Sequence, residues 1–79
     1  MNGPFYIDLE QAREVLAGMG VVLTKRQMKR AADIDAHGRR KLPFFVDPIE
    51  GKLKIDRNAL VKVYIKQQVN AENKLRPDR

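Results

Sequence analysis

The stretch GMGVVLTKRQMKRAA, residues 18–32, holds the end of one helix, a tight connection and the start of a second. Gly18 and Gly20 stop the first periodic segment, because glycine enters the left-handed C′ conformation without a side-chain clash. Thr24 followed three residues later by Gln27 spells a capping box. In that motif the hydroxyl accepts the Gln27 amide and the Gln27 side chain reaches back to the Thr24 N–H. The spacing predicts a helix from Lys25 to about Ile34 or beyond.

Upstream, Asp8 and Gln11 repeat the same signal. Leu9, Ala12, Val15, Leu16 and Met19 then fall within an arc of roughly 120° at 100° per residue, leaving Glu10, Gln11 and Glu14 outside. Two short helices joined by a glycine-containing turn make a helix-turn-helix pattern. Phe5, Tyr6 and Ile7, ahead of the first helix, read as a first strand or a cover.

Downstream, AHGRRKLP breaks the helical period, and Pro43 cannot sit inside a helix. LPFFV is rich in β-formers, DPIEG supplies turn chemistry, and KLKID alternates with Leu53 and Ile55 on one face and Lys52 and Lys54 on the other. These segments predict a two-stranded hairpin. A third helix follows from about Asn58, with Ala59, Leu60, Val63 and Tyr64 as its inner stripe. Residues 70–79 carry a proline and no stripe, so they read as a frayed tail behind a single domain over residues 1–69.

On the second helix Lys25, Arg26, Lys29 and Arg30 share an arc of about 140°, with Asp33 among them. Met28, Ala31, Ala32 and Ile34 fall on the other side. Between Thr24 and Lys41 seven cations, including Arg39, Arg40 and Lys41, meet only Asp33 and Asp35, a net of +5 out of a chain total of +6. Lys25/Lys29 and Arg26/Arg30 are like-charged at i, i+4, each pair costing a few tenths of a kcal/mol in isolation. A solvated helix face usually mixes signs. Segregation of this kind points to a polyanion, whose bound counterions are released when lysine and arginine replace them. Arginine and lysine on the first turns reach guanine O6 and N7, and lysines of the hairpin reach phosphate. The Thr24 hydroxyl and the first-turn amides suit a phosphate at the helix N-terminus.

Other chemistries have little support. The 79 residues contain no cysteine, which removes disulfides, zinc thiolates and thiol nucleophiles together. His37 is the only histidine and reads as a loop residue. Asp33 and Asp35 cannot face one another at i, i+2 on a helix, and Asp47, Glu50 and Asp56 read as turn and cap residues. No phosphate-binding glycine loop is present. We therefore expect no catalytic residues, no metal and no cofactor. The apolar runs are too short to cross a bilayer and no secretory signal is visible, so a cytoplasmic protein with no membrane partner is expected.

Val61, Ile65 and Val69 make a second stripe at i, i+4, i+8 on the closing helix. It reads either as partial burial against the N-terminal segment or as a docking ridge for a neighbouring protomer or another protein.

Taken in order, YIDLEQAREVLAGMG, LTKRQMKRAAD and GRRKLPFFVDPIEGKLKIDRNALVKVYI resemble the small winged helix-turn-helix excisionases of phages and conjugative transposons, related to the MerR-type DNA-binding domain. The resemblance runs from about Ile7 to Ile65. It is carried by Ala12 and Leu16, the helix after Thr24, Gly38 with Leu42 and Pro43, the turn at Gly51, and Leu60. It implies an α+β winged helix-turn-helix of about three helices with a two-stranded β-hairpin wing. Its recognition helix would present Thr24, Lys25, Arg26, Gln27, Lys29 and Arg30, while the loop and wing would present Arg39, Arg40, Lys41, Lys52 and Lys54. It further implies an architectural role on double-stranded attachment-site DNA, with cooperative self-association, directing integrase-mediated excision of a mobile element. The alternatives are a small phage or mobile-element transcriptional regulator on operator DNA, and a protein-binding inhibitor module.

Overall fold

The computed structural model describes residues 3–74, and within them the chain is a small α+β domain. Its elements follow in the order β1 (Tyr6–Ile7), α1 (Leu9–Gly18), α2 (Lys25–Ala32), β2 (Phe45–Val46), β3 (Leu53–Asp56) and α3 (Arg57–Lys74). The three strands form one antiparallel sheet in the order β1-β3-β2.

Both expected capping boxes form. At α1 the Asp8 carboxylate accepts the Gln11 N–H at 2.8 Å and the Gln11 side chain accepts the Asp8 N–H at 3.1 Å. At α2 the Thr24 hydroxyl accepts the Gln27 N–H at 3.0 Å and the Gln27 Oε1 accepts the Thr24 N–H at 2.9 Å. The end of α1 is a Schellman turn. Gly20 sits at φ +94°, Gly20 N–H donates to Ala17 and Val21 N–H donates back to Leu16 at 2.8 Å. Gly18 takes no part in that conformation and is the last helical residue.

The core joins every layer. Leu16, Met28, Ile55 and Leu60 are fully buried, and Ile7, Ala12, Ala32, Leu42 and Phe44 complete the cluster. Burying each of the leucine, isoleucine, methionine and phenylalanine side chains among them contributes about 1.5–3 kcal/mol. The alanines on the inner face of α2 let it lie close to α1. Among the described residues no polar or charged side chain is buried. The ionisable groups therefore sit near water, where pair energies are small.

Of the two readings of the segment before α1, the strand holds: Tyr6 and Ile7 pair with Asp56 and Ile55, so the expected hairpin's inner strand becomes the centre of a three-stranded sheet. Three expectations need correction. The second helix stops at Ala32, because Asp33 leaves helical space with ψ 155°, and Ile34 is consequently 58% exposed and outside the core. Only Gly20, and not Gly18, supplies the left-handed stop of α1. The third helix runs to Lys74, so residues 70–74, expected as part of a frayed tail, are helical, and Gln68 bonds Glu72 at i, i+4 within that stretch. The remaining tail positions, 75–79, lie outside the described residues.

Candidate nucleic-acid interface

The Asp8 carboxylate starts α1, and one turn later Glu10 and Arg13 pair at 2.6 Å. Arg13 also donates to the Leu23 carbonyl at 3.2 Å, so α1 holds the residue immediately before the α2 cap. That bond ties the end of the connection back onto α1. The pairing draws the Glu10 carboxyl below the usual carboxylate range, through the Arg13 hydrogen bond first, with the Arg13 and Lys25 charges adding to it. The i, i+3 spacing of Glu10 and Arg13 was a legible sign of their pairing. The bond to Leu23, ten residues away, had no local sign.

From that anchored start α2 turns Met28 and Ala32 inward and leaves Lys25, Arg26, Lys29 and Arg30 exposed. The four cations do not have equal freedom. Lys29 is paired with Asp33 at 2.8 Å, which offsets part of its repulsion from Lys25. Lys25 lies near Glu10, whose carboxylate is already held by Arg13. Among the described residues Arg26 and Arg30 form no ion pair. Thr24 and Gln27 spend their cap oxygens on each other, which leaves the Gln27 amide NH₂ and the Thr24 hydroxyl proton free to face a ligand.

The loop after α2 separates its three cations. Asp35 accepts the N–H groups of His37 at 2.8 Å and Arg39 at 3.0 Å, and its own N–H donates to the Arg39 carbonyl at 2.7 Å. The Arg39 and His37 hydrogen bonds hold the Asp35 carboxyl below its usual range. This closed turn, with Gly38 at φ +76°, leaves Arg39 and Lys41 exposed and sends Arg40 back onto α2. There the Arg40 guanidinium donates to the Ala32 carbonyl at 2.6 Å, and the Leu42 N–H donates to the Ala31 carbonyl at 3.1 Å. Two carbonyls left over at the end of a short helix are thus satisfied by the loop. Arg40, expected among the ligand-facing cations, is a half-buried capping residue.

Within the hairpin the two lysines also part company. Lys52 is exposed, whereas Lys54 pairs with Glu50 at 3.1 Å and its side chain is only 27% exposed. Phe45 opposes Lys54 across the ladder and meets Tyr6 edge-on at a centroid distance of 5.4 Å. Tyr6 and Phe45 therefore lie over the central strand on the outer face of the sheet, an arrangement that depends on β1 joining it.

Lys29 of α2 and Gly51 and Lys52 of the hairpin turn line one open depression, with Asp8 and Glu10 on its α1 side. Helix and hairpin thus share a rim although more than twenty residues separate them in the chain. Both acids at that rim are committed, Asp8 to its cap and Glu10 to Arg13. Of the cations expected at this interface, Lys25, Arg26, Arg30, Arg39, Lys41 and Lys52 remain outward without an ion pair among the described residues, with Lys29 partly engaged.

Of the second stripe, Val61 is half-buried while Ile65 and Val69 are 55% and 46% exposed. Burial of the stripe thus ends at Val61, which lines a depression with Val15 of α1 and Met19 at its end rather than with the N-terminal segment. Among the described residues no group of three His, Cys, Asp or Glu side chains comes together as a metal site, and no helix is long and apolar enough to cross a membrane. Comparison with protein-family models, with curated proteins and with solved structures finds no match to this chain.

Proposed function

We propose that this domain is a winged helix-turn-helix that binds double-stranded DNA sequence-specifically, with α2 as recognition helix and the β2–β3 hairpin as wing. The observation that carries the reading is the outer face of α2. Four cations share it, and Arg26 and Arg30 stand there without an acidic partner among the described residues. Arginines at such positions donate bidentately to guanine in the major groove. Arg39, Lys41 and Lys52 supply phosphate contacts on either side, which set register without reading sequence.

On that surface we place an architectural role, in which the bound protein favours integrase-mediated excision of a mobile element. The order of elements from Ile7 to Ile65 supports this, through its resemblance to excisionases. A transcriptional regulator would use the same DNA-facing residues, and stimulation of excision by a purified integrase on attachment-site DNA separates the two roles. Duplex binding itself is tested by titrating salt. With about six phosphate contacts, log affinity falls against log salt with a slope near −5. A flat salt response, or no duplex binding at low salt, overturns the reading and favours a protein-binding module.

A further inference from the structure

The tip of the β2–β3 hairpin carries Ile49, which at 92% exposure is the most exposed large apolar side chain among the described residues. Pro48 stands exposed beside it. A domain of this size has little apolar surface to spare for its core, yet this isoleucine is held away from it.

The turn that holds it is rigid. Asp47 N–H donates to the Lys52 carbonyl at 2.8 Å, and Gly51 N–H donates to the Asp47 carbonyl at 2.8 Å. Gly51 sits at φ +71°, a conformation that lets the chain fold back after Glu50. Pro48 has its own φ locked by its ring. The two acids of the tip are also turned back. The Asp47 carboxylate accepts the Glu50 N–H at 2.6 Å, and the Glu50 carboxylate is paired with Lys54. What projects from the tip is therefore apolar and stiff. Lys52 beside it opens onto the rim shared with Lys29 of α2.

We infer that Pro48 and Ile49 form a wedge that enters a base step of duplex DNA from the minor groove, unstacking and bending it while α2 occupies the neighbouring major groove. Rigid apolar residues next to cations suit such a step, because the wedge leaves water as the bases part and the cations hold the phosphates on either side. A pre-ordered tip loses little conformational freedom on insertion. The inference rests on the duplex-binding reading above.

The chain contains no tryptophan, so Ile49→Trp places a single fluorescent reporter at the tip. On a mixed-sequence duplex at low salt its emission falls roughly twofold or more, as stacking on bases requires. The same reporter at Ile65→Trp on α3 stays bright in the complex. In parallel, Ile49→Ala still binds, within roughly fivefold of the unaltered protein, but no longer shortens the end-to-end distance of a doubly labelled duplex. If the unaltered protein binds with steep salt dependence but Ile49→Trp is quenched no more than Ile65→Trp, the wedge is overturned and duplex binding stands. Bending by Ile49→Ala equal to that of the unaltered protein overturns it too. If the unaltered protein binds no duplex at low salt, the DNA reading itself falls and the wedge falls with it.

Discussion

The Arg40 guanidinium donates to the Ala32 carbonyl at 2.6 Å, across eight residues, and so closes the C-terminal end of α2. A cation next to two others in the sequence is thereby spent on the helix that carries the outward-facing arginines. Its charge also lies at the negative end of the helix dipole, where cations are favoured.

Arg40→Ala is expected to cost about 1–3 kcal/mol of folding stability, the range for leaving a carbonyl without its donor. Urea unfolding measures it. The same substitution should reduce duplex affinity at a fixed folded fraction less than Arg39→Ala does. A larger loss of affinity than of stability would return Arg40 to the ligand-facing set.

Arg26 and Lys52 should behave as different kinds of contact. Arg26→Ala is expected to lose about 1–3 kcal/mol on the preferred duplex and to relax selectivity at one position. Lys52→Ala is expected to weaken all duplexes alike and to reduce the salt slope by about 1. Lys54→Ala, whose ammonium is held by Glu50, should have the smaller effect of the two hairpin lysines. Binding titrations on matched and mismatched duplexes decide all three.

The two glycines at the end of α1 should respond to alanine with opposite signs. Neither has another atom near where a new Cβ would stand. Gly20→Ala is forced into positive φ and should destabilise by about 1–2 kcal/mol. Gly18→Ala sits in ordinary helical space and should stabilise by about 0.5–1 kcal/mol. Thermal or urea unfolding of the pair tests whether backbone conformation alone sets the difference.

Thr24→Ala removes the hydroxyl that satisfies the Gln27 amide, and should cost about 0.5–2 kcal/mol. Thr24→Asp should restore most of it, because a carboxylate caps the same amide. Denaturant midpoints of the three proteins give the comparison. On the proposed duplex-binding reading, the restored protein should still bind DNA more weakly, because the new carboxylate would repel phosphate.

Acid should loosen the loop behind α2. The folded-state pKa of Asp35 is depressed by the Arg39 and His37 N–H groups. Its contribution to stability is therefore present above the ordinary carboxylate range and is lost as pH falls through the folded value. Asp35→Ala should be less stable than the unaltered protein at neutral pH, and the gap should narrow on acidification. Unfolding measured across the acid range shows it, and a constant gap would assign the effect to something other than the carboxylate charge.

What could be read from the residue order alone was what is decided within one helical turn or one tight turn. The boxes at Asp8/Gln11 and Thr24/Gln27, the stop at Gly20 and the turn at DPIEG all depend on partners at most five residues away, and the inward side of α2 at Met28 and Ala32 follows from the helical period. Tertiary structure decided the rest. Tyr6 and Ile7 become a strand only because Ile55 and Asp56 lie beside them, with Asp56 also holding the Phe5 N–H at 3.0 Å and the Ala59 N–H at 3.3 Å. Likewise, that Arg40 turns inward depended on an acceptor found after folding, the Ala32 carbonyl eight residues away. Charge and period are properties of the chain, whereas the partner that engages a charge is a property of the packed domain. The reason is entropic. Local pairs form with little loop to close, while a contact across fifty residues forms only when the buried core has already brought its ends together.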